Sequence, residues 1–317
     1  MPETSIVIPT YNRAHIVSRA IESVLTQTLS DLEVLVIDDG SKDSTETVVK
    51  SIDDSRIRYF RKENGGPASA RNFALPEVNG TYLAFLDSDD YWPGDYLEVM
   101  LSQLGRKQDF GAAYSPITLV HPDGTLTKSY KRPAGKSGWI TCDLFRHAFV
   151  WPSAAIFRAE AWKDFFFDER LNKTSEDSDA FLRLSLATQF LFVPDVEAFH
   201  VLGQDSIALA EGVVCSRVLS LERFYDSLGG KRVIPARVAR RRISHAFRTV
   251  AEDRRTKGAK SAALALYRRA IRRWPYDLRL YGAWLRTLAL DSSTDPEPAW
   301  KPPEPLGKPI GPSRARR

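Results

Sequence analysis

Four short apolar runs, separated by stretches with helical spacing, restrict this chain more than any other feature. Ser5–Pro9 (SIVIP), Glu33–Ile37 (EVLVI) and Thr81–Leu86 (TYLAFL) are nearly continuous in large apolar residues and too short for helices, so they read as buried parallel strands; Ile57–Phe60 is a further strand between them. Val17, Ala20, Ile21 and Val24 fall on one face of a helix that Asn12 is placed to cap. More helices are predicted near Ser44–Lys50 and over Ala68–Leu75, the latter after a Gly65-Gly66-Pro67 loop. This alternation predicts an α/β chain with a doubly wound sheet, in which ligands bind beyond the carboxyl ends of the strands.

The pattern changes from about Phe110. Gly111–Val120 reads as a strand, His121-Pro122-Asp123-Gly124 as a hairpin turn, and Trp151–Arg158 and Phe190–Val193 as further strands, with a helix over Glu176–Thr188. From Gly212 helices dominate. Val214, Val218, Leu221 and Phe224 mark one apolar stripe; Leu264, Tyr267, Ile271 and Trp274 a second; Leu278, Tyr281, Trp284 and Leu288 a third, while the segment around 231–256 predicts a helix with a broad basic face. Asp291–Arg317 is proline-rich with few large apolar residues, which predicts a disordered tail. The expected divisions are 1–210, 211–290 and 291–317.

No apolar run approaches the roughly 20 residues of a membrane-spanning helix, and the start MPETSIVIPTYNR lacks a basic segment followed by an apolar one, so a cytoplasmic location is expected. Cys142 and Cys215 are isolated, which argues against a disulfide framework or zinc cluster and fits two buried thiols in a reducing compartment.

Acidic clusters fall where element ends should converge: Asp38/Asp39, Asp87/Asp89/Asp90 and Glu176/Asp177. One such pair is as readily a cap or turn; three at successive element ends point to a site. Asp87-Ser88-Asp89 is a D-x-D triplet after a buried strand. Hard cations such as Mg²⁺ and Mn²⁺ prefer carboxylate oxygens, and a cation held there bridges the phosphates of a nucleoside diphosphate and stabilises the charge of its departure.

SIVIPTYNR (Ser5–Arg13), VLVIDDGSKDST (Val34–Thr45), NGGPASARN (Asn64–Asn72), YLAFLDSDD (Tyr82–Asp90) and SEDSD (Ser175–Asp179), in this order and spacing, resemble the family 2 glycosyltransferases of the GT-A fold, over roughly residues 4–210. The resemblance implies a GT-A domain at 1–210, with a mixed sheet flanked by helices and a C-terminal helical extension. It also implies an enzyme that uses a nucleoside-diphosphate sugar, most commonly a uridine one, with Mn²⁺ or Mg²⁺, and in many members inverts the anomeric centre. Carried over by position, Pro9, Thr10 and Tyr11 line the nucleobase pocket, Asp39 accepts a hydrogen bond from the base and Arg71 meets the nucleotide. Asp87 contacts the ribose beside Ser88, and Asp89 is the main metal ligand. Asp177 is the catalytic base, with Glu176 the runner-up. His200 stands where related folds place a metal- or phosphate-contacting histidine, a packing role being the alternative. Trp151 and Trp92 are candidates for stacking on sugar faces.

The net charge of +5 is unevenly placed: Arg217–Arg286 holds 19 Lys and Arg against 5 Asp and Glu. A solvated face, contact with an anionic membrane at its inner face and binding of nucleic acid are the three readings of such helices; the last is disfavoured because no nucleic-acid motif accompanies the charge. The acceptor implied is a glycan, a lipid-linked glycan or a protein. The competing class is a catalytically inactive nucleotide-binding or scaffold protein. A nucleotidyltransferase is disfavoured because no Gly-rich loop follows the first strand, and a dinucleotide-binding oxidoreductase because no G-x-G-x-x-G does.

Overall fold

A computed structural model describes residues 1–128, 135–171, 175–203, 213–290, 295–296 and 306–311, with the backbone alone for 213–215. The chain divides into two compact units, Met1–Ala208 with Pro309–Arg317, and Leu209–Lys308.

In the first unit, β1 (Thr4–Thr10), β2 (Leu32–Asp38), β3 (Ile57–Arg61) and β4 (Tyr82–Phe85) are parallel, as their apolar runs require. Between them come α1 (Val17–Leu25), α2 (Thr45–Lys50) and α3 (Pro67–Ala74); α4 (Tyr96–Gly105) follows β4. The full sheet has the order β3-β2-β1-β4-β8-β5-β9, with β5 at Phe110–Tyr114, β8 at Ala155–Arg158 and β9 at Gln189–Phe192. Among the described residues β8 alone runs antiparallel, to both β4 and β5, so the sheet is mixed rather than purely doubly wound. Alternate residues of β1 and β2 (Ile6, Ile8, Val34, Val36) enter one core with Val17, Ala20, Ile21 and Val24 of α1 and with Tyr96, Leu97, Met100 and Leu104 of α4.

Several local expectations are corrected. Asn12 does not cap α1, which begins five residues later without a side-chain cap; it has a left-handed backbone (φ 52°) and its Oδ1 accepts from the Lys42 N–H. The predicted strand over Gly111–Val120 is two strands in different sheets. Ser115-Pro116 breaks it, because proline has no N–H for the ladder, and β6 (Ile117–Val120) joins β7 (Leu126–Lys128) and β10 (Ala198–Val201) in a three-stranded sheet. Trp151 lies outside β8, ahead of a 3₁₀ turn over Pro152–Ala154. The helix predicted over Glu176–Thr188 is α6, Glu176–Leu184, and α5 (Thr141–Arg146) was not foreseen. Cys142 is half-buried rather than buried; the Cys215 side chain and most of Asp291–Arg317 lie outside the described residues.

The second unit contains α7 (Val213–Ser227), α8 (Ala236–Thr256), α9 (Lys260–Arg273) and α10 (Leu278–Leu288). Val218, Leu221 and Phe224 are buried as predicted. Of the other two stripes only Tyr267 is buried, while Leu264, Ile271, Trp274 and Trp284 are half-buried. In α9 the buried side is Ala262, Ala263, Leu266, Tyr267 and Ala270, and in α10 it is Leu280, Ala283 and Thr287, whereas Leu278, Tyr281 and Leu288 are exposed. Small residues let helix backbones approach closely, so the alanine-lined sides face inward, with Leu266, Tyr267 and Leu280 filling the space between them.

The amino ends of the strands are tied by a buried carboxylate. Glu33 Oε1 accepts from Ser5 Oγ at 2.6 Å, and its Oε2 pairs with Arg58 at 2.9 Å. Burial alone would raise its pKa, but these donors and Asn79 outweigh burial and hold it below the ordinary value. Gly80 closes the same corner: its N–H donates to Ser5 Oγ at 2.8 Å, and an added Cβ would sit 2.5 Å from the Ser5 nitrogen. The Thr4–Ser5 backbone of β1 cannot yield as a flexible side chain would, so Gly80→Ala is expected to lower unfolding free energy by about 1–3 kcal/mol in urea titrations.

Candidate active site

Two strands of the parallel half, β2 and β4, deliver acidic residues at their carboxyl ends. Asp38 completes β2 and is fully occupied by the fold: Oδ1 accepts from the Ser41 N–H at 2.7 Å and Oδ2 from the Tyr59 hydroxyl at 2.6 Å. Asp39 points to the loop before α3. It accepts from Lys62 Nζ (2.6 Å) and the N–H groups of Gly65 (2.9 Å) and Gly66 (2.6 Å), leaving about one of its four lone-pair sites for a further donor. Gly66 has φ 84°, a conformation glycine adopts without strain. The end of β1 lies beside this loop pair. Asn12 and Arg13 donate backbone N–H groups to Ser41 Oγ and Thr45 Oγ1. Pro9 is half-buried, the Tyr11 side chain is exposed, and Thr10 Oγ1 is buried without a hydrogen-bond partner among the described residues.

The end of β4 is joined to the start of α6 by one side chain. Arg71, from α3, is buried; its Nη2 donates to Asp87 Oδ1 at 2.7 Å and its Nη1 to Glu176 Oε1 at 2.9 Å. Its guanidinium lies over the Phe167 ring. Burial works against the cation, but Asp87, Glu176 and Asp177 outweigh it and raise the Arg71 pKa further. Glu176 is driven the other way: burial lifts its pKa, Arg71 offsets part of that and Asp177 adds to it. Asp177 is half-buried in the first turn of α6, with Oδ1 accepting from the Ser178 N–H at 2.6 Å. Arg71 therefore meets two carboxylates, and only its Nε lacks a partner among the described residues.

The remaining acids form a graded cluster. Asp90 is buried: Oδ2 accepts from Ser153 Oγ at 2.5 Å, and Oδ1 from His200 Nδ1 at 2.9 Å and the Val201 N–H at 3.2 Å. Ser153 Oγ also accepts from the Asp87 N–H. His200 lies within β10. Tyr91 and Phe199 exchange backbone hydrogen bonds at 3.2 and 3.0 Å, and this register sets His200 beside Asp90. Burial opposes a charged His200, yet Asp90, with Asp87 and Asp89, raises its pKa above the ordinary value. Trp151 packs its ring against His200, 4.9 Å between centroids. Trp92 is buried and structural: Nε1 donates to the Ser153 carbonyl, and the ring stacks on Tyr96. Ser88 is buried. Asp89 has a side chain 30% exposed, with Arg13 at 3.6 Å. Burial first, then Asp90 and Asp87, push its carboxyl pKa up to about 6.

Arg13, Lys62, Ser153 and Tyr59 escaped sequence reasoning. Arg13 closes one quoted motif and Lys62 stands two residues before another, so their charge was a usable signal; Ser153 and Tyr59 carried none.

Among the described residues no three His, Cys, Asp or Glu side chains form a ready-made metal cage. Asp90 has both oxygens engaged, which leaves the Asp89 carboxylate and His200 Nε2 as donors. The chemistry of this pair fits a hard divalent ion that completes its shell with phosphate and water, and the raised Asp89 pKa marks negative charge a cation would relieve.

Residues 5–166 match the family described as Glycosyl transferase family 2. The chain belongs to glycosyl transferase family 2. Its relatives include the chondroitin synthase of Pasteurella multocida, 33% identical over 213 residues covering 66% of this chain and 22% of that protein. Another is the GalNAc(5)-diNAcBac-PP-undecaprenol beta-1,3-glucosyltransferase of Campylobacter jejuni, 30% identical over 69% of this chain and 71% of that protein. The chain thus spans about a fifth of the length of the chondroitin synthase. Among solved structures, S. aureus TarS 1–349 in complex with UDP-GlcNAc superposes with a TM-score of 0.63, at 19% identity, over 91% of this chain and 80% of that one. That likeness establishes the GT-A fold.

Two outcomes are expected. Replacing Arg71 by Ala strands Asp87 and Glu176, so stability at neutral pH should fall by about 3 kcal/mol; the deficit should shrink toward pH 4 as the stranded carboxyls take up protons, read from denaturant midpoints across pH. For Asp89, the folded pKa of about 6 exceeds the ordinary 3.8, so the folded state binds the proton more tightly. Metal-free protein should then lose stability as pH rises from about 4 to about 6. In chelator, Asp89→Asn should gain on wild type by on the order of 1–2 kcal/mol over that window, after allowance for solvent screening. A gap in melting temperature that does not change with pH would contradict this account of Asp89.

Proposed function

We propose that this chain is an inverting, metal-dependent glycosyltransferase that moves a sugar from a nucleoside-diphosphate sugar, a uridine one, to a hydroxyl of a glycan, lipid-linked or protein acceptor. The observation that carries the reading is the Arg71 bridge, which brings the carboxylate at the end of β4 and the acidic turn of α6 into one site. The names of the relatives support it: chondroitin synthase and an undecaprenol-linked glucosyltransferase both build glycans, and TarS is solved with UDP-GlcNAc.

In this reading Tyr11 offers its exposed ring to the base, with Pro9 and Thr10 beside it, and Asp39 uses its remaining lone pair on a ring N–H. Asp87, oriented by Arg71, faces the ribose beside Ser88. A divalent ion, Mn²⁺ or Mg²⁺, held by Asp89 and His200 would supply positive charge for the diphosphate as it leaves. Asp177 takes the proton from the acceptor hydroxyl as that oxygen attacks the anomeric carbon. Glu176 is the weaker choice of base, since Arg71 holds its carboxylate and it is the more deeply buried of the two. Trp151 forms part of the acceptor wall.

The test is calorimetric titration of UDP, GDP and dTDP with and without Mn²⁺, beside turnover of the matching nucleotide sugar. Tight UDP binding that needs metal and is lost in Asp89→Ala is expected. Asp177→Asn should keep that affinity while turnover falls by about 10²–10⁴. A folded protein that binds no nucleotide sinks the transferase reading; binding with no turnover on any acceptor favours the inactive nucleotide-binding or scaffold class.

A further inference from the structure

In the helical unit the outward side of α10 is apolar. Tyr276, Leu278, Tyr281, Leu285 and Leu288 are all exposed, Leu278 by 80% and Leu285 by 59%, a concentration of large apolar side chains found nowhere else among the described residues. At helical spacing Leu278, Tyr281, Leu285 and Leu288 share one stripe, and α10 buries only the smaller Ala283 and Thr287 with Leu280 on its opposite side. Arg279 and Arg286 stand on the flank between the two sides and are exposed.

The unit that carries this stripe is basic on balance, with 21 Lys and Arg against 10 Asp and Glu over Leu209–Lys308. All five acids between Arg217 and Arg286 are already paired: Glu222 and Asp226 with Arg273, Glu252 with Arg255, Asp253 with Lys257, and Asp277 with Arg248 and Arg279. The same span carries nineteen Lys and Arg. The surplus reaches the start of α10, because Arg248 of α8 bonds Asp277, the residue that caps α10. His245, one turn before Arg248, feels Arg248, Arg242 and Arg279 together; burial first and then these charges hold its pKa below the ordinary value.

We propose that this face of α10 docks the protein on an anionic lipid bilayer, with the Leu and Tyr stripe lying in the headgroup boundary and the flanking arginines on lipid phosphates. An apolar stripe with tyrosines at its edge and arginines on its flank is what a helix lying in the plane of a membrane presents. A second copy of the chain fits less well, because pairing two such faces would bring together two units of net positive charge. None of the described helices is long and apolar enough to cross a bilayer, so the contact is with its surface.

The experiment is cosedimentation of the full chain with phosphatidylcholine vesicles, with and without 30 mol% phosphatidylglycerol as a set condition on the order used to mimic anionic surfaces. Binding should require phosphatidylglycerol and weaken at least tenfold when salt is raised from about 0.1 to 0.5 M. L278D/L285D should lose it at unchanged helicity and nucleotide affinity, and R279E/R286E should weaken it at least tenfold. For wild type alone, tryptophan emission should be quenched by lipids brominated near the headgroup, through Trp284 on α10. No binding to the anionic vesicles, binding indifferent to both variants, or a concentration-dependent dimer that L278D/L285D abolishes would each overturn the proposal. The transferase reading does not depend on any of these outcomes.

Discussion

The first unit depends on a buried cation between two buried or half-buried acids. Arg71 contributes from α3, Asp87 from the end of β4 and Glu176 from the start of α6, so one guanidinium ties three separate stretches of chain at the carboxyl edge of the sheet. A guanidinium suits this place because it stays charged and presents several donors in one plane, which lets it serve two carboxylates at once. Removing either acid would leave the cation buried with half its neutralisation. The site is therefore a property of the packing as much as of its motif residues.

Charge at this edge is graded rather than cancelled. Asp38 is held by local donors and shapes its loop, and Asp39 keeps one site for a further donor; Asp90 is engaged by Ser153, His200 and the Val201 N–H and holds a histidine. Asp89 has Arg13 at 3.6 Å, and burial first, then the charge of Asp90 and Asp87, raises its pKa. Among like residues at adjacent positions, the local hydrogen bonds decide which are structural and which are left to meet a ligand.

The parallel half of the fold was legible because strands buried on both faces are nearly continuous in apolar residues, and the acidic ends of β2 and β4 follow directly from those strands. Less was legible where the signal is ambiguous by nature. Gly111–Val120 looks continuous, yet Pro116 divides it between sheets. The outer stripe of α10 has the spacing of an inner one, because periodicity reports that a helix has two sides and not which side is covered. The partners of the candidate site were the hardest to foresee. Arg71 was visible as a motif residue, but its bond to Glu176 spans a separation that no local pattern encodes, and Ser153 has no sequence signature at all.

The Tyr91–Phe199 bridge has a consequence for the order in which the molecule is made. His200 lies 110 residues beyond Asp90, and Glu176 lies 105 beyond Arg71. A chain growing from its amino end completes β1 to β4 and exposes the whole donor-side acidic edge long before the residues that organise it exist. Until the stretch through Val201 emerges, Asp90 lacks its histidine and Arg71 one of its two acids. Such long-range closure is slow relative to the local βα units. The nascent form therefore holds β1 to β4 while the rest of the sheet and the later partners of this edge are still to be made.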